Sequence, residues 1–257
     1  MNYHPPADLL AGRVILITGA GRGIGRACAL ACAQHGACVI LCGRTLSHLE
    51  AVYDEIGELK RAVEPLLLPL DLSGLKSDAC EAVSKAIRKR FSMLSGLVHN
   101  AAILGPRTPI AHYPEDDFSA VMQVNVQAAF VLTKALLPLL GAAADASVIF
   151  TSSGVGRKGR AYWGAYSVSK FATEALMEIC ADEWENLGSI RCNSLDPGKT
   201  RTAMRALAYP AEDPATLVRA EELMPLYLYL LGPDSRRVNG QKFCASNWQY
   251  SSVAASD

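Results

Sequence analysis

Val14-Ile15-Leu16-Ile17-Thr18-Gly19-Ala20-Gly21-Arg22-Gly23-Ile24-Gly25 passes from four apolar residues to four glycines within twelve positions. The apolar run reads as a buried strand, predicted over Val14–Thr18, and the residues behind the glycines predict a helix over Ile24–His35. Small residues between a strand and a helix let the backbone turn tightly and come close to a pyrophosphate. The helix start behind them offers unpaired N–H groups and the positive end of its dipole. A glycine cluster alone would also suit an empty turn. The strand before, the helix after and the position near the N-terminus favour phosphate binding. No Gly-Lys-Ser/Thr follows, which excludes the nucleotide-triphosphate type of loop.

Outward from this loop the chain alternates. Short apolar runs predict strands at Val14–Thr18, Cys38–Cys42, Pro65–Leu70, Gly96–His99, Ser147–Thr151, Ser189–Ser194 and Lys242–Ala245. Between them, longer segments predict helices at Ile24–His35, Leu46–Leu59, Leu75–Phe91, Phe118–Leu140, Tyr162–Leu187 and Ala215–Leu231. Continuous apolar strands alternating with helices imply an α/β fold, a doubly wound parallel sheet (Rossmann fold) of about seven strands covered on both faces. Its ligands belong at the carboxyl ends of the strands. With no repeat, low-complexity linker or composition break, residues 1–257 read as one domain. Two proline-bearing segments, Gly105–Asp117 and Lys199–Pro214, follow strands and so fall on the ligand side. The second predicts a substrate lid near 199–222. The first suits a plain surface excursion equally well.

Composition narrows the function. Lys plus Arg and Asp plus Glu number 25 each, so the formal charge is zero. No basic patch or tail points to nucleic acid or an anionic membrane. The start, Met1-Asn-Tyr-His-Pro-Pro6, lacks the basic-then-apolar pattern of a secretion signal. The richest apolar candidate for a span, Ala128–Leu140, is interrupted by Lys134 and Pro138. Cytoplasmic location is therefore expected, and the eight cysteines, with no metal-ligand spacing, read as reduced structural thiols.

The second predicted strand ends Cys42-Gly43-Arg44-Thr45. A fold that selects NAD places a carboxylate there for the ribose 2′-hydroxyl. Gly43 stands in its place, and Arg44, assisted by Arg22, can pair with a 2′-phosphate. The expected cofactor is NADP, with NADPH preferred over NADH. The alternative for Arg44 is a solvated surface arginine.

Tyr166 and Lys170 lie four apart in a predicted helix and share a face. A free phenol titrates near pH 10, too high for an efficient proton relay at neutral pH. An adjacent ammonium, together with an oxidised nicotinamide, is expected to lower it. Tyr166 then hands a proton to a carbonyl oxygen, or takes it back from the alcohol. Ser153, thirteen residues earlier and just past a strand, can hydrogen-bond the oxygen on which charge develops.

Together the loop Thr18-Gly19-x-x-x-Gly23-x-Gly25, Ser153 and Tyr166-x-x-x-Lys170 resemble the short-chain dehydrogenase/reductase family over nearly the whole chain. Narrower stretches, Phe150–Arg157, Trp163–Tyr166, Ser169–Glu174, Thr200–Arg205 and Met224-Pro-Leu-Tyr-Leu, resemble its bacterial YciK-type oxidoreductases. The resemblance implies an NADP-dependent oxidoreductase acting on a carbonyl or secondary alcohol. It adds Asn125 as a fourth catalytic residue that holds a relay water near the lysine, and Asp71-Leu72 as the adenine contact. It places Gly19, Gly21, Arg22, Gly23, Ile24, Gly25, Asn100 and Ala101 along the cofactor, with Tyr166 and Lys170. Pro197-Gly198 with Thr200 and Thr202 would meet the nicotinamide carboxamide. By the same analogy the segments Phe118–Leu140 and Tyr162–Leu187 pair subunits in a homodimer or homotetramer. The family's Asn-Asn-Ala-Gly is His99-Asn100-Ala101-Ala102 here, so the extra methyl of Ala102 is expected to crowd the turn, and His99 reads as a structural strand-end histidine ahead of a catalytic base.

The expected partner is a small carbonyl or alcohol substrate. The readings that compete are a non-catalytic NADPH-binding or sensor protein and a subunit that only assembles. An enoyl reductase fits less well, since that branch spaces its Tyr and Lys further apart. Arg157, Arg160, Arg201 and Arg205 flank the expected pocket and would either select an anionic or polar substrate or be solvated or bind the cofactor phosphates.

Overall fold

Strand β1 (Val14–Thr18) is buried along its length, and its neighbours in sequence point to opposite faces of the sheet. Ile15 and Ile17 enter one core cluster, and Leu16 enters the other. The structure, a computed structural model, describes residues 2–60 and 62–250.

The order is β1, α1 (Gly23–Gln34), β2 (Cys38–Gly43), α2 (Leu46–Gly57), β3 (Leu66–Pro69), α3 (Ser77–Arg90) and β4 (Gly96–His99). It continues with α4 (Glu115–Met122), α5 (Ala128–Leu140), β5 (Ala146–Thr151), α6 (Gly164–Trp184), β6 (Ile190–Asp196), α7 (Ala203–Ala208), α8 (Met224–Leu231) and β7 (Lys242–Cys244). The seven strands form one sheet in the order β3-β2-β1-β4-β5-β6-β7, every pair parallel. The chain winds outward from β1 in one direction and from β4 in the other. The crevice between those two strands is where such a sheet binds its ligand.

Three expectations change. The helix predicted over Ala215–Leu231 is confined to Met224–Leu231, preceded by short turns at Pro214–Thr216 and Ala220–Leu223. Leu217 and Arg219 are extended, and the Val218 carbonyl accepts from Arg201 N at 2.8 Å. Pro225 sits in the first turn of α8, where its missing N–H costs no helical bond. The helix expected from Phe118 starts at Glu115 instead, because Pro114 is its N-cap and Glu115, Asp116 and Asp117 complement the dipole of the first turn. A π-helical turn, Gln123–Gln127, joins α4 to α5.

The joined helix Glu115–Leu140 runs 26 residues with a window mean hydropathy of 1.4, long and apolar enough to cross a membrane. This revises the reading of Ala128–Leu140 as too broken. Half of that window is buried inside the fold: Val131, Leu132, Leu136 and Leu139 pack into the second core cluster.

At the amino ends of the strands, Asp145 pairs with both Arg13 and Arg191. The Arg191 guanidinium also donates to the Leu230 and Gly232 carbonyls and to Ser235 Oγ. Removing the carboxylate strands a buried cation. Asp145→Ala is expected to lower unfolding stability by about 3 kcal/mol, read from urea denaturation.

Candidate active site

A cleft of about 460 Å³ opens across the carboxyl ends of β1, β2, β4, β5 and β6. Of the residues singled out in the sequence for catalysis or cofactor binding, all except Gly25 and Asn125 line it. Gly25 lies beneath the loop: a Cβ there would come 2.2 Å from the Gly19 carbonyl oxygen. Gly19 has φ +67, in the left-handed region, and packs against Ala101 and Asn100. These two positions let the loop fold back over β4. The Thr18 hydroxyl accepts from Asn100 N and Ala101 N, each at 3.0 Å, and donates to the Val98 carbonyl. Asn100 Nδ2 donates to the Thr18 carbonyl at 3.1 Å. Helix α1 starts at the floor of the cleft with no capping side chain on its first N–H groups, the arrangement that suits a phosphate.

Arg22 and Arg44 are exposed at the cleft and form no ion pair among the described residues. Gly43 brings no carboxylate to the end of β2. The residues present therefore fit a dinucleotide that carries an additional phosphate. Asp71 Oδ1 accepts from Ser73 N at 2.9 Å, a local turn, and that bond holds its carboxyl below the usual range.

Ser153 follows β5, while Tyr166 and Lys170 stand one turn apart on α6. Lys170 Nζ donates to the Thr151 carbonyl at 2.6 Å and lies 5.6 Å from the Tyr166 ring centre. Burial pushes the Lys170 ammonium down to about 8, against the opposing pull of Glu174 and Asp196. Burial, aided by the Asp196 charge, pushes the Tyr166 phenol up to about 12, and the Ser153 hydroxyl beside it opposes the rise. The expected lowering of the phenol does not arise from the protein's own groups. The ammonium is aimed at the Thr151 carbonyl, and desolvation of the phenolate dominates.

Asn125 sits in the π turn, a distortion often found at functional sites. Its Oδ1 accepts from Ile103 N at 2.8 Å, and its Nδ2 donates to the Ile103 carbonyl and to Ser169 Oγ, each at 3.0 Å. It borders a small internal cavity of about 10 Å³, about the size of one water, shared with Lys170, Thr151 and His99. Pro197, Gly198, Thr200 and Thr202 lead from β6 into α7. Thr200 Oγ1 donates to the Pro197 carbonyl, and Thr202 caps α7 by accepting from Arg205 N.

Beyond Tyr166 the cleft is apolar, with Trp163, Leu104, Met204 and Ala208 in its walls. The arginines read from the sequence as either substrate-selecting or solvated or cofactor-bound divide. Arg157 binds Glu174 and the Phe243 carbonyl. Arg205 lines the cleft but forks onto Glu212 at 2.5 and 2.6 Å. Arg160 and Arg201 do not line the cleft. Thr18, Trp163 and Ser152 entered the reading of the sequence only inside longer motifs, with no role of their own. Ser152 lines the cleft, is buried, and its hydroxyl has no partner among the described residues, which leaves it available to a bound molecule. The adjacency Ser152-Ser153 was its only signal.

The sequence profile of the short chain dehydrogenase family matches residues 13–213. This chain belongs to the short-chain dehydrogenase family. The dehydrogenase is 47% identical over 245 residues to the oxidoreductase YciK of Escherichia coli K12, covering 95% of this chain and 96% of that protein. A short chain dehydrogenase structure from Pseudomonas syringae has 52% identity and a TM-score of 0.93, over 95% of this chain and 99% of that one. A short chain dehydrogenase from Escherichia coli CFT073, solved as a complex with NADPH, has 47% identity and a TM-score of 0.91, over 94% and 99%.

The dehydrogenase's departures from the family pattern have local explanations. Ala102 is not among the residues with positive φ and packs against the cluster of Val155, Trp163, Tyr166 and Ala208. His99 stacks on Phe150 with ring centres 4.8 Å apart and shares a 2.7 Å hydrogen bond between Nε2 and Thr133 Oγ1. Burial pushes it down to about 3, so it stays neutral at neutral pH. Its folded value lies below the ordinary 6.5, so between those values the unfolded chain binds the extra proton and stability falls as pH falls. Wild type is expected to lose about 1.4 kcal/mol per pH unit more than His99→Asn across pH 6 to 4, measured by denaturant unfolding at each pH.

Proposed function

We propose that this dehydrogenase is an NADPH-preferring reductase of uncharged carbonyl compounds, running in reverse on the matching secondary alcohols. The observation that carries the reading is the meeting, in one cleft, of a buried Tyr166–Lys170 pair with a glycine-lined helix start and the unpaired Arg44. That the related Escherichia coli protein was solved with NADPH supports the cofactor.

The dinucleotide, when bound, supplies the hydride. Gly19, Gly21, Gly23, Ile24 and the start of α1 would hold its pyrophosphate, with Gly25 giving the loop its path. Arg44 and Arg22 would hold the 2′-phosphate. Asp71, Leu72, Asn100 and Ala101 would line the adenosine side. Pro197, Gly198, Thr200 and Thr202 would bound the nicotinamide side. Tyr166 donates its proton to the carbonyl oxygen. Ser153 hydrogen-bonds that oxygen as it gains charge. Lys170 keeps a positive charge beside the phenol, and Asn125 steadies a water next to the Lys170 ammonium. The apolar walls around Trp163 and the prior engagement of Arg205 and Arg157 support a substrate without a carboxylate or phosphate.

Two copies of the chain would pair through α5 and α6. Phe130, Val168, Phe171 and Ile179 are exposed there, and the last three repeat at helical spacing. A cytoplasmic home is supported by eight free thiols.

Calorimetry is expected to show NADPH binding more tightly than NADH, with Arg44→Ala weakening NADPH about tenfold. Equal affinities in the wild type would remove the argument from Arg44. In a carbonyl panel, Tyr166→Phe is expected to keep NADPH affinity and to lose at least about a hundredfold in kcat.

A further inference from the structure

Three segments that are remote in sequence meet above the substrate end of the cleft. The loop after β4 brings Arg107, the turn before α6 brings Trp163, and the end of α7 brings Tyr209. The Arg107 guanidinium lies 4.7 Å from the Trp163 ring centre and 4.9 Å from that of Tyr209. The two rings are 5.9 Å apart, so the cation rests against both at once. Its Nη1 also donates to the Ala208 carbonyl at the end of α7. Arg205 stacks on Tyr209 at 3.8 Å and is itself fixed by Glu212. Trp163 in turn lies 5.8 Å from the Tyr166 ring. Met204 and Ala208, which line the cleft, therefore stand on a helix whose far end is tied to Arg107.

The geometry points to Arg107 as a positioning residue that latches α7 over the substrate end of the cleft, through the Trp163 and Tyr209 rings, and thereby sets how tightly this chain holds an apolar carbonyl substrate. This rests on the reading of the cleft as a carbonyl reductase site. Arg107 does not line the cleft. Its effect passes through the wall it holds. The two ring contacts and the carbonyl bond act together, and breaking them shifts the lid toward an open state without touching Tyr166, Lys170 or Ser153. A closed lid contributes binding and water exclusion ahead of the chemical step, so the loss belongs in KM.

The test has an arm that needs no turnover. Lys199, Arg201 and Arg219 are exposed trypsin sites in the lid segment, and Arg88, Lys89 and Arg90 are exposed sites at the far end of α3. Limited trypsin digestion, mapped by mass spectrometry, compares wild type with Arg107→Ala, Tyr209→Leu and Tyr209→Phe. The latch predicts lid cleavage accelerated about tenfold in the first two, unchanged in Tyr209→Phe, and α3 cleavage unchanged throughout. Equal lid cleavage in wild type and Arg107→Ala overturns the latch, as does an equal rise at every site. The second arm uses benzaldehyde as the probe substrate with saturating NADPH. A KM raised about tenfold in Arg107→Ala, with kcat within about twofold and partial recovery in Arg107→Lys, supports the positioning role. A fall confined to kcat overturns it. If wild type reduces no carbonyl, the functional reading fails and the digestion arm still decides the latch.

Discussion

The structure is organised around one buried cation. Lys170 is only 4% exposed, and an ammonium taken out of water is costly unless its surroundings replace the lost hydration. The Thr151 carbonyl replaces part of it at 2.6 Å, and the charges of Glu174 and Asp196 oppose the loss of the proton. Glu174 is buried as well, one turn further along α6, and receives hydrogen bonds from Arg157 Nε at 3.2 Å and Ser194 Oγ at 2.7 Å. Arg157 continues to the Phe243 carbonyl on β7. One line of alternating charge thus ties α6 to β6 and β7. It requires α6 to approach the turn after β5 closely, and Gly156 makes that possible: a Cβ there would stand 2.7 Å from the Lys170 Cβ. The same approach carries Tyr166 to Ser153. The proposed proton donor and oxyanion partner are therefore neighbours as a consequence of how the cation is housed.

The second constraint is the reversal of winding between β1 and β4. Thr18 closes the gap with one hydroxyl that serves three backbone groups, and Asn100 returns a bond to the Thr18 carbonyl. With the strand ends fixed, the glycine loop and the start of α1 have one side of the crevice, and the end of β5 has the other. Asn100 and Ala101 line the cleft, yet the polar atoms that sequence reasoning offered to a cofactor are partly committed to this seam.

Legibility in the sequence followed from how local each signal is. The central strands β1, β2, β4 and β5 are buried almost throughout and so read as nearly continuous apolar runs, and all seven strands were placed within one or two residues of their bounds. Gly19, Arg44, Ser153, Tyr166 and Lys170 could be named because the chemistry needs their residue types at short, fixed separations. What failed depended on partners distant in the chain. Ala215–Leu231 has helical composition, but the bridge from Thr200 to Val218 draws its first part into extended backbone. The lowering of the Tyr166 phenol was reasoned from Lys170 together with an oxidised nicotinamide; among the protein's own groups, burial by the whole cleft outweighs the lysine. Arg157 and Arg205 were read as flanking the pocket, selecting substrate or solvated or cofactor-bound, and are paired in space with Glu174 and Glu212. Arg107 carried no signal at all, since its role exists only where three segments meet.

The charge layout bears on how the proposed chemistry would be divided between the chain and its cofactor. Left to its own groups, the protein holds Tyr166 at about 12, a protonated phenol throughout the physiological range. Carbonyl reduction needs that protonated form, so the free enzyme already holds its acid. Alcohol oxidation needs the phenolate, which burial and the Asp196 charge oppose, while the Lys170 ammonium, pushed down to about 8, spends its hydrogen bond on a backbone carbonyl. The phenolate would then depend on the positive charge of an oxidised nicotinamide. Such a division ties the protonation state of the tyrosine to the redox state of the bound cofactor. Neither form of the site would then have to carry both a strong acid and a strong base at once.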